Sequence, residues 1–225
     1  MIPSAPVMVP ALAGAAATEV ADLGEAVLAA AASLPPRWVA VGVGDADAVI
    51  GSEQSGTFAG YGVDVPVRLS PSEEALHDVP AELPLCALIT GWVRGQAKPR
   101  AHAEVRVCAH DLDADAALSR GRRLRAELEQ ESEPVGVLIV ADGVHTLTPP
   151  APGGYDPDGV PVQHALDEAL ACGDVAALTG LSAAVVGRVA YQVLAGLTEP
   201  APRSAKEFYR GAPYGVGYFA GVWQP

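Results

Sequence analysis

The chain has few cysteines and no long apolar run, and these two shortages argue against several classes of protein. Its three cysteines, Cys86, Cys108 and Cys172, are widely spaced and form no C-x-x-C pair. This pattern indicates neither a disulfide framework nor a zinc site, and it favours free thiols in a cytoplasmic protein. The amino-terminal apolar stretch has no basic region ahead of it and is interrupted by Glu19 and Asp22. We therefore expect neither a signal peptide nor a membrane span.

Basic residues are also scarce, because 14 lysines and arginines stand against 27 aspartates and glutamates, a net charge of −13. Such a charge repels phosphate backbones, so we expect no nucleic-acid partner. Lysine occurs only at positions 98 and 206, and with the abundant Ala, Gly and Pro this suggests a GC-rich bacterial genome. Half of the residues are apolar, mainly Ala and Val, which predicts a folded chain with one core and a single domain over 1–225.

Periodicity predicts alternating helices and strands along the chain. The predicted helices span 18–33, 83–93, 113–130, 161–172 and 182–197, and the predicted strands span 38–44, 63–69, 103–108, 136–142 and 209–223. Loops are expected at 44–57 and 146–159. The apolar runs 38–44 and 136–142 are typical of strands buried on both faces. The order predicts an α/β fold of three layers, α/β/α, around a central mostly parallel or mixed sheet.

Chemistry in such a sheet is expected at the carboxyl ends of its strands. The loop after Gly44 offers Asp45 and Asp47, and the loop after Val140 offers Asp142 and His145. An imidazole titrates near neutrality, and a nearby carboxylate orients it, so Asp142 and His145 are candidate catalytic residues. The alternative is structural: Asp142 caps a turn, and His145 bonds loop backbone.

The other histidines, His77, His102, His110 and His164, lack the spacing of metal ligands and are expected at the surface or in satisfied positions. The pair Gly42 and Gly44 does not form a dinucleotide fingerprint, because no third glycine opens a helix there.

Four segments resemble motifs of the class III extradiol ring-cleavage dioxygenases, the LigB-like superfamily, and most resemble an uncharacterised actinobacterial branch of it. Residues 140–159, VADGVHTLTPPAPGGYDPDG, are similar to the family's SGDLSH…LTPDAPAGYDPRG stretch. Residues 2–10 resemble its PHPPLLVP motif, residues 55–62 resemble SGDFARFG, and residues 209–218 resemble YEGPFGVGY. The resemblance implies a LigB-like fold, with Tyr155 and Asp156 in the cleft beside the strand ends.

The resemblance also implies a non-haem Fe(II) held by two His and one Glu, with a further His as acid/base. His145 falls on the acid/base position, with Asp142 beside it. The first metal-binding His would fall on Ser4, and the second belongs to a loop that offers only Asp45 and Asp47. The glutamate belongs near 182–190, where this chain has no carboxylate. The chain therefore departs from the family's pattern at all three ligand positions, and no cofactor is predicted.

Three hypotheses follow from this pattern. The first is a LigB-like protein without the iron site. Such a pseudoenzyme would bind a small molecule, act as a regulatory protein, or catalyse a metal-independent reaction. The second is a metalloenzyme, either an aromatic-ring dioxygenase or a hydrolase or lyase, whose ligands come from Asp45, Asp47, Asp142 and His145 and suit Mg²⁺ or Mn²⁺. The third is a structural subunit whose carboxyl-terminal strand pairs across a homo-oligomer.

Overall fold

The computed structural model describes residues 1–71 and 81–224, so His77 lies outside the described residues. The helices are α1 (Pro10–Ala13), α2 (Ala21–Ala32), α3 (Leu85–Ala97), α4 (Ala114–Leu128), α5 (Gly159–Cys172), α6 (Val175–Thr179) and α7 (Arg188–Thr198). The strands are β1 (Arg37–Gly44), β2 (Ala48–Ile50), β3 (Ser55–Thr57), β4 (Pro66–Arg68), β5 (His102–Ala109), β6 (Val135–Val140), β7 (Ser204–Gly211) and β8 (Tyr218–Gln224). No helix in these ranges is long and apolar enough to cross a membrane.

The central sheet has the strand order β2-β5-β1-β6. Strand β1 runs parallel to both β5 and β6, whereas β2 pairs antiparallel with β5 at the edge. Residues 38–42 of β1 are all buried, as expected of a central strand covered on both faces. Helices α2 and α3 cover one face, and α4 and α7 cover the other. The predicted three-layer α/β/α architecture with a mixed sheet is confirmed.

Small residues allow α4 and α7 to pack unusually closely. A Cβ at Gly121 would lie 2.1 Å from the Val193 carbonyl oxygen, and one at Gly196 would lie 2.1 Å from the Leu118 carbonyl oxygen. Each glycine therefore admits the backbone of the other helix. Because glycine has no side chain, the backbones of α4 and α7 approach each other closely at these two positions.

The two ends of the chain extend the sheet beyond β6. The Ile2 N–H donates to the Ile139 carbonyl at 2.8 Å, and the Ala141 N–H donates to the Ile2 carbonyl at 3.0 Å. On its other side, Met1 exchanges two backbone hydrogen bonds with Gly221 of β8. Residues 1–2 thus run parallel to β6 and antiparallel to β8, and they connect the β7–β8 hairpin to the central sheet.

Several predicted boundaries are wrong. The single closing strand over 209–223 is a hairpin, because a turn at 212–217 reverses the chain and β7 pairs with β8. The helix predicted over 182–197 forms only from Arg188, since the N–H groups of Val186 and Gly187 donate to loop carbonyls at Gly143 and Asp142. The loop 44–57 contains β2 and β3, which are too short to produce a periodic signal.

Candidate functional site

A pocket of about 250 Å³ lies at the carboxyl ends of three neighbouring strands. Asp45 follows β1, His110 follows β5 and Asp142 follows β6, and Ser4 arrives from the amino-terminal segment. The remaining walls are apolar or glycine, namely Val43, Gly44, Leu85, Val140, Ala141, Val186 and Gly187. Because parallel strands end together, four polar groups meet here on a largely apolar surface.

Asp142 is a partly buried acidic residue of this pocket, and the amino-terminal segment holds it in place. Ile2 pairs with the end of β6, so Ser4 is carried past the end of that strand. There the Ser4 N–H donates to Asp142 Oδ1 at 2.8 Å. The preceding carbonyl, that of Ala141, accepts a hydrogen bond from the buried Tyr191 hydroxyl at 2.9 Å. Ser4 therefore holds the carboxyl itself, and Tyr191 holds the backbone directly before it.

Burial makes the Asp142 carboxyl a weak acid. Loss of water around its charged form raises the pKa from 3.8 to about 7, and the Ser4 N–H opposes this rise only in part. The negative charge also contributes to raising the pKa values of Tyr191 and Tyr218, after the burial of those two phenols. A carboxyl with a pKa near 7 exchanges its proton at neutral pH, which suits an acid/base group.

Asp45 and His110 stand on the exposed side of the pocket. Both side chains are exposed. The backbone N–H of His110 donates to the Gly44 carbonyl at 3.0 Å, which keeps the loops after β1 and β5 side by side. His110 was predicted at the surface or in a satisfied position, and it is exposed, but its place in the lining of this pocket was not predicted. It follows β5, the neighbour of β1, so the same strand-end argument would have found it.

Asp47 does not join the pocket. Its carboxylate accepts hydrogen bonds from Arg120 Nη1 at 2.7 Å and from the Ala109 N–H at 2.8 Å, and it forms a salt bridge with Arg120 Nη2 at 2.5 Å. The Arg120 guanidinium, followed by the Ala109 N–H, lowers the pKa of Asp47 to about 2. Asp47 instead lines a separate cavity between β2, β5 and α4.

His145 is not among the described residues that line the pocket with Asp142. Its Nδ1 is buried and has no hydrogen-bond partner in the described part of the chain. The loop folds back on the ring, since a Cβ at Gly153 would lie 2.7 Å from His145 Nε2. Tyr155 is 55% exposed, and Asp156 accepts the Asp158 N–H at 3.0 Å in the turn that leads into α5. Neither residue contacts the pocket.

The donors of this pocket do not fit an iron site of two His and one Glu. Within residues 1–71 and 81–224, no three His, Cys, Asp or Glu side chains converge on a point that could hold a metal ion. The segment where the resemblance places the glutamate does reach the pocket wall, but it contributes only Val186 and Gly187. A side chain at position 187 would collide with the backbone of Asp142, because a Cβ there lies 2.7 Å from its carbonyl oxygen.

Comparison with known proteins supports the fold and leaves the function open. No family model matches the chain, and no curated protein matches it. Among solved structures, the chain is similar to the crystal structure of an uncharacterized protein from Escherichia coli K12, with a TM-score of 0.59 and 14% identity. The similarity covers 89% of this chain and 91% of that protein. At this level of identity it supports a shared three-layer α/β/α fold.

Proposed function

We propose that the chain is a LigB-like protein that binds a small hydroxylated aromatic molecule without a resident iron, and that Asp142 exchanges a proton with the bound hydroxyl group. One observation carries the proposal: a partly buried carboxyl, fixed by the Ser4 N–H at 2.8 Å, lies in a pocket at the carboxyl ends of the strands. The motif resemblance supplies the ligand class, since that family acts on catechols.

The dimensions and chemistry of the pocket suit such a ligand. Its 250 Å³ is below the roughly 300–1,000 Å³ of sites for drug-sized molecules, so a single ring is the appropriate size. Val43, Leu85 and Val186 supply apolar contacts for a ring. Asp142 accepts a hydrogen bond from a phenolic hydroxyl when it is ionised and donates one when it is protonated.

Isothermal titration with catechol tests the proposal on protein treated with a chelator. We expect catechol to bind, and we expect Asp142→Asn to weaken binding at least tenfold, about 1.4 kcal/mol, because a charged acceptor is lost. Asp47→Asn is the matched control, since it removes the same charge from a different cavity and should leave binding unchanged.

Two results would contradict the proposal. If protein purified without chelator carries stoichiometric iron and consumes oxygen with catechol, the chain is an active metalloenzyme. If catechol does not bind at any pH between 6 and 8, the ligand class is wrong. The metal alternative built on Asp45, Asp47, Asp142 and His145 has no support from the geometry, because Asp47 is bound to Arg120 and His145 does not line the pocket.

A further inference from the structure

A buried glutamine of helix α5 contacts the backbone that follows Asp142. Gln163 is 7% exposed, and its Oε1 accepts a hydrogen bond from the Val144 N–H at 2.8 Å. Val144 is fully buried, and a buried N–H that loses its acceptor is costly. Within the described part of the chain, Gln163 is the one side chain that bonds to the backbone of residues 142–144. It is not among the residues that line the pocket, so it acts on this loop from outside.

The amide group of Gln163 is enclosed between two glycines. A Cβ at Gly143 would lie 2.1 Å from its Oε1, and a Cβ at Gly217 would lie 2.1 Å from its Cδ. The two glycines are also joined to each other, because the Gly143 N–H donates to the Gly217 carbonyl at 2.8 Å. Gln163 therefore fills the junction between the loop after β6 and the turn before β8, where the absence of two side chains makes room for it.

The peptide group between Gly143 and Val144 connects this glutamine to the wall of the pocket. Its N–H is the one that Gln163 holds, and its carbonyl, that of Gly143, accepts a hydrogen bond from the Val186 N–H at 3.0 Å. Val186 lines the pocket with Asp142. Because a peptide group is planar and rigid, holding its N–H also fixes the direction of its carbonyl. The placement of Val186 relative to Asp142 therefore depends on Gln163.

Asp167, one helical turn further along α5, determines which way the amide faces. Gln163 Nε2 donates to Asp167 Oδ1 at 2.8 Å. Burial raises the pKa of Asp167 from 3.8 to about 6, against the opposing effects of the Gln163 hydrogen bond and the Arg210 charge. Above that pH the carboxylate only accepts hydrogen bonds, so it takes the NH₂ end of the amide and leaves the oxygen for Val144.

We propose that Gln163, oriented by Asp167, is a positioning residue for the pocket, which holds the peptide group after Gly143 and thereby the placement of Asp142 and Val186. This role rests on the proposed function of the pocket, because the ligand is the one proposed there. One of its two readouts, the pKa of Asp142, needs no ligand.

Gln163→Met tests the role, since it removes both hydrogen bonds and keeps a side chain of similar length. We expect the loop to loosen and water to reach Asp142, so that the pKa of its carboxyl, followed by NMR without ligand, falls from about 7 to below about 6. Catechol should bind at least tenfold more weakly in titration calorimetry at neutral pH. Thr198→Val is the control, because it removes a buried hydrogen bond to the Leu194 carbonyl near the carboxyl end of α7, and it should change neither readout.

Two substitutions of Asp167 separate its hydrogen bond from its charge. Asp167→Asn keeps an oxygen that accepts from Gln163 Nε2, whereas Asp167→Leu keeps none, and both remove the same negative charge. We expect Asp167→Leu to have a lower pKa at Asp142 and a lower affinity for catechol than Asp167→Asn. Because Asp167 is only partly buried, this comparison decides the question even if Gln163→Met does not fold.

An Asp142 pKa that is the same in folded Gln163→Met and in the wild type would overturn the proposal, since the glutamine would then support only the fold. Equal values in Asp167→Asn and Asp167→Leu would overturn it as well, because the amide would need no orientation by Asp167. If catechol does not bind to the wild type but the pKa of Asp142 responds as expected, the proposed ligand is wrong and the positioning role stands.

Discussion

Replacing Asp142 by Asn should change how the stability of the protein depends on pH. Because burial raises the pKa of this carboxyl from 3.8 to about 7, the folded state binds more protons than the unfolded state between these values. The contribution of Asp142 to stability therefore falls as the pH rises from about 4 to about 7. At about 1.4 kcal/mol per pH unit, the full loss is about 4 kcal/mol, of which about 3 kcal/mol falls between pH 4.5 and pH 8.

Urea unfolding of both proteins at several pH values measures this effect, and the difference between them removes the contribution of every other titrating group. Asn keeps an oxygen for the Ser4 N–H but carries no charge, so the variant should gain up to about 3 kcal/mol relative to the wild type between pH 4.5 and pH 8. Since the pocket is open to water, this is an upper bound. Asp45→Asn, which removes a charge from the exposed side of the same pocket, is the control. A difference that varies by less than about 0.5 kcal/mol over this range would refute the assignment of Asp142 as a buried, weakened acid.

Three further predictions concern single substitutions, of which only Gly187→Ala lies in the lining of the pocket. Arg120→Ala should move the pKa of Asp47 from about 2 towards its usual value near 4, as NMR titration of the carboxyl would show, because the guanidinium is the main cause of the depression. Gly187→Ala should destabilise the fold by about 1–3 kcal/mol in urea unfolding and should abolish catechol binding, because its methyl group collides with Ala141 and Asp142. Gly24→Ala, in α2 with nothing within 4 Å of the new methyl group, should instead raise Tm in a thermal melt, by the equivalent of about 0.5–1 kcal/mol.

The layers of the fold could be predicted from sequence because parallel strands buried on both faces consist of continuous apolar runs. The runs around Val41 and Ile139 are apolar without alternation, and they form the neighbouring parallel strands β1 and β6 of the sheet. Short strands could not be predicted, since β2 is three residues long and Val49 within it is 70% exposed. The segment 182–187 has helical spacing, yet its N–H groups bond to the loop after β6. These hydrogen bonds to a distant loop replace the helical ones, and the sequence of the segment itself does not reveal them.

The candidate site, like the fold, could be predicted only in part. Ser4, Asp45 and Asp142 were all expected near the strand ends, and all three line one pocket. Asp47 was expected with them, but its partner Arg120 lies 73 residues away, and only the docking of α4 on the sheet brings the two together. The surroundings of Asp142 depend equally on distant residues, since Tyr191 and Tyr218, whose pKa values its charge helps to raise, lie later in the chain.

Met1 and Gly221, paired at the junction of the sheet and the hairpin, are 220 positions apart, so this pairing forms late in synthesis. Two hydrogen bonds with Gly217 hold the loop that follows Asp142. The Gly143 N–H donates to the Gly217 carbonyl, and the Gly217 N–H donates to the Val144 carbonyl. Gly217 lies 75 positions after Asp142 in the sequence. While the chain is being made, the loop after β6 therefore lacks these two hydrogen bonds until the residues that follow β7 have been synthesised.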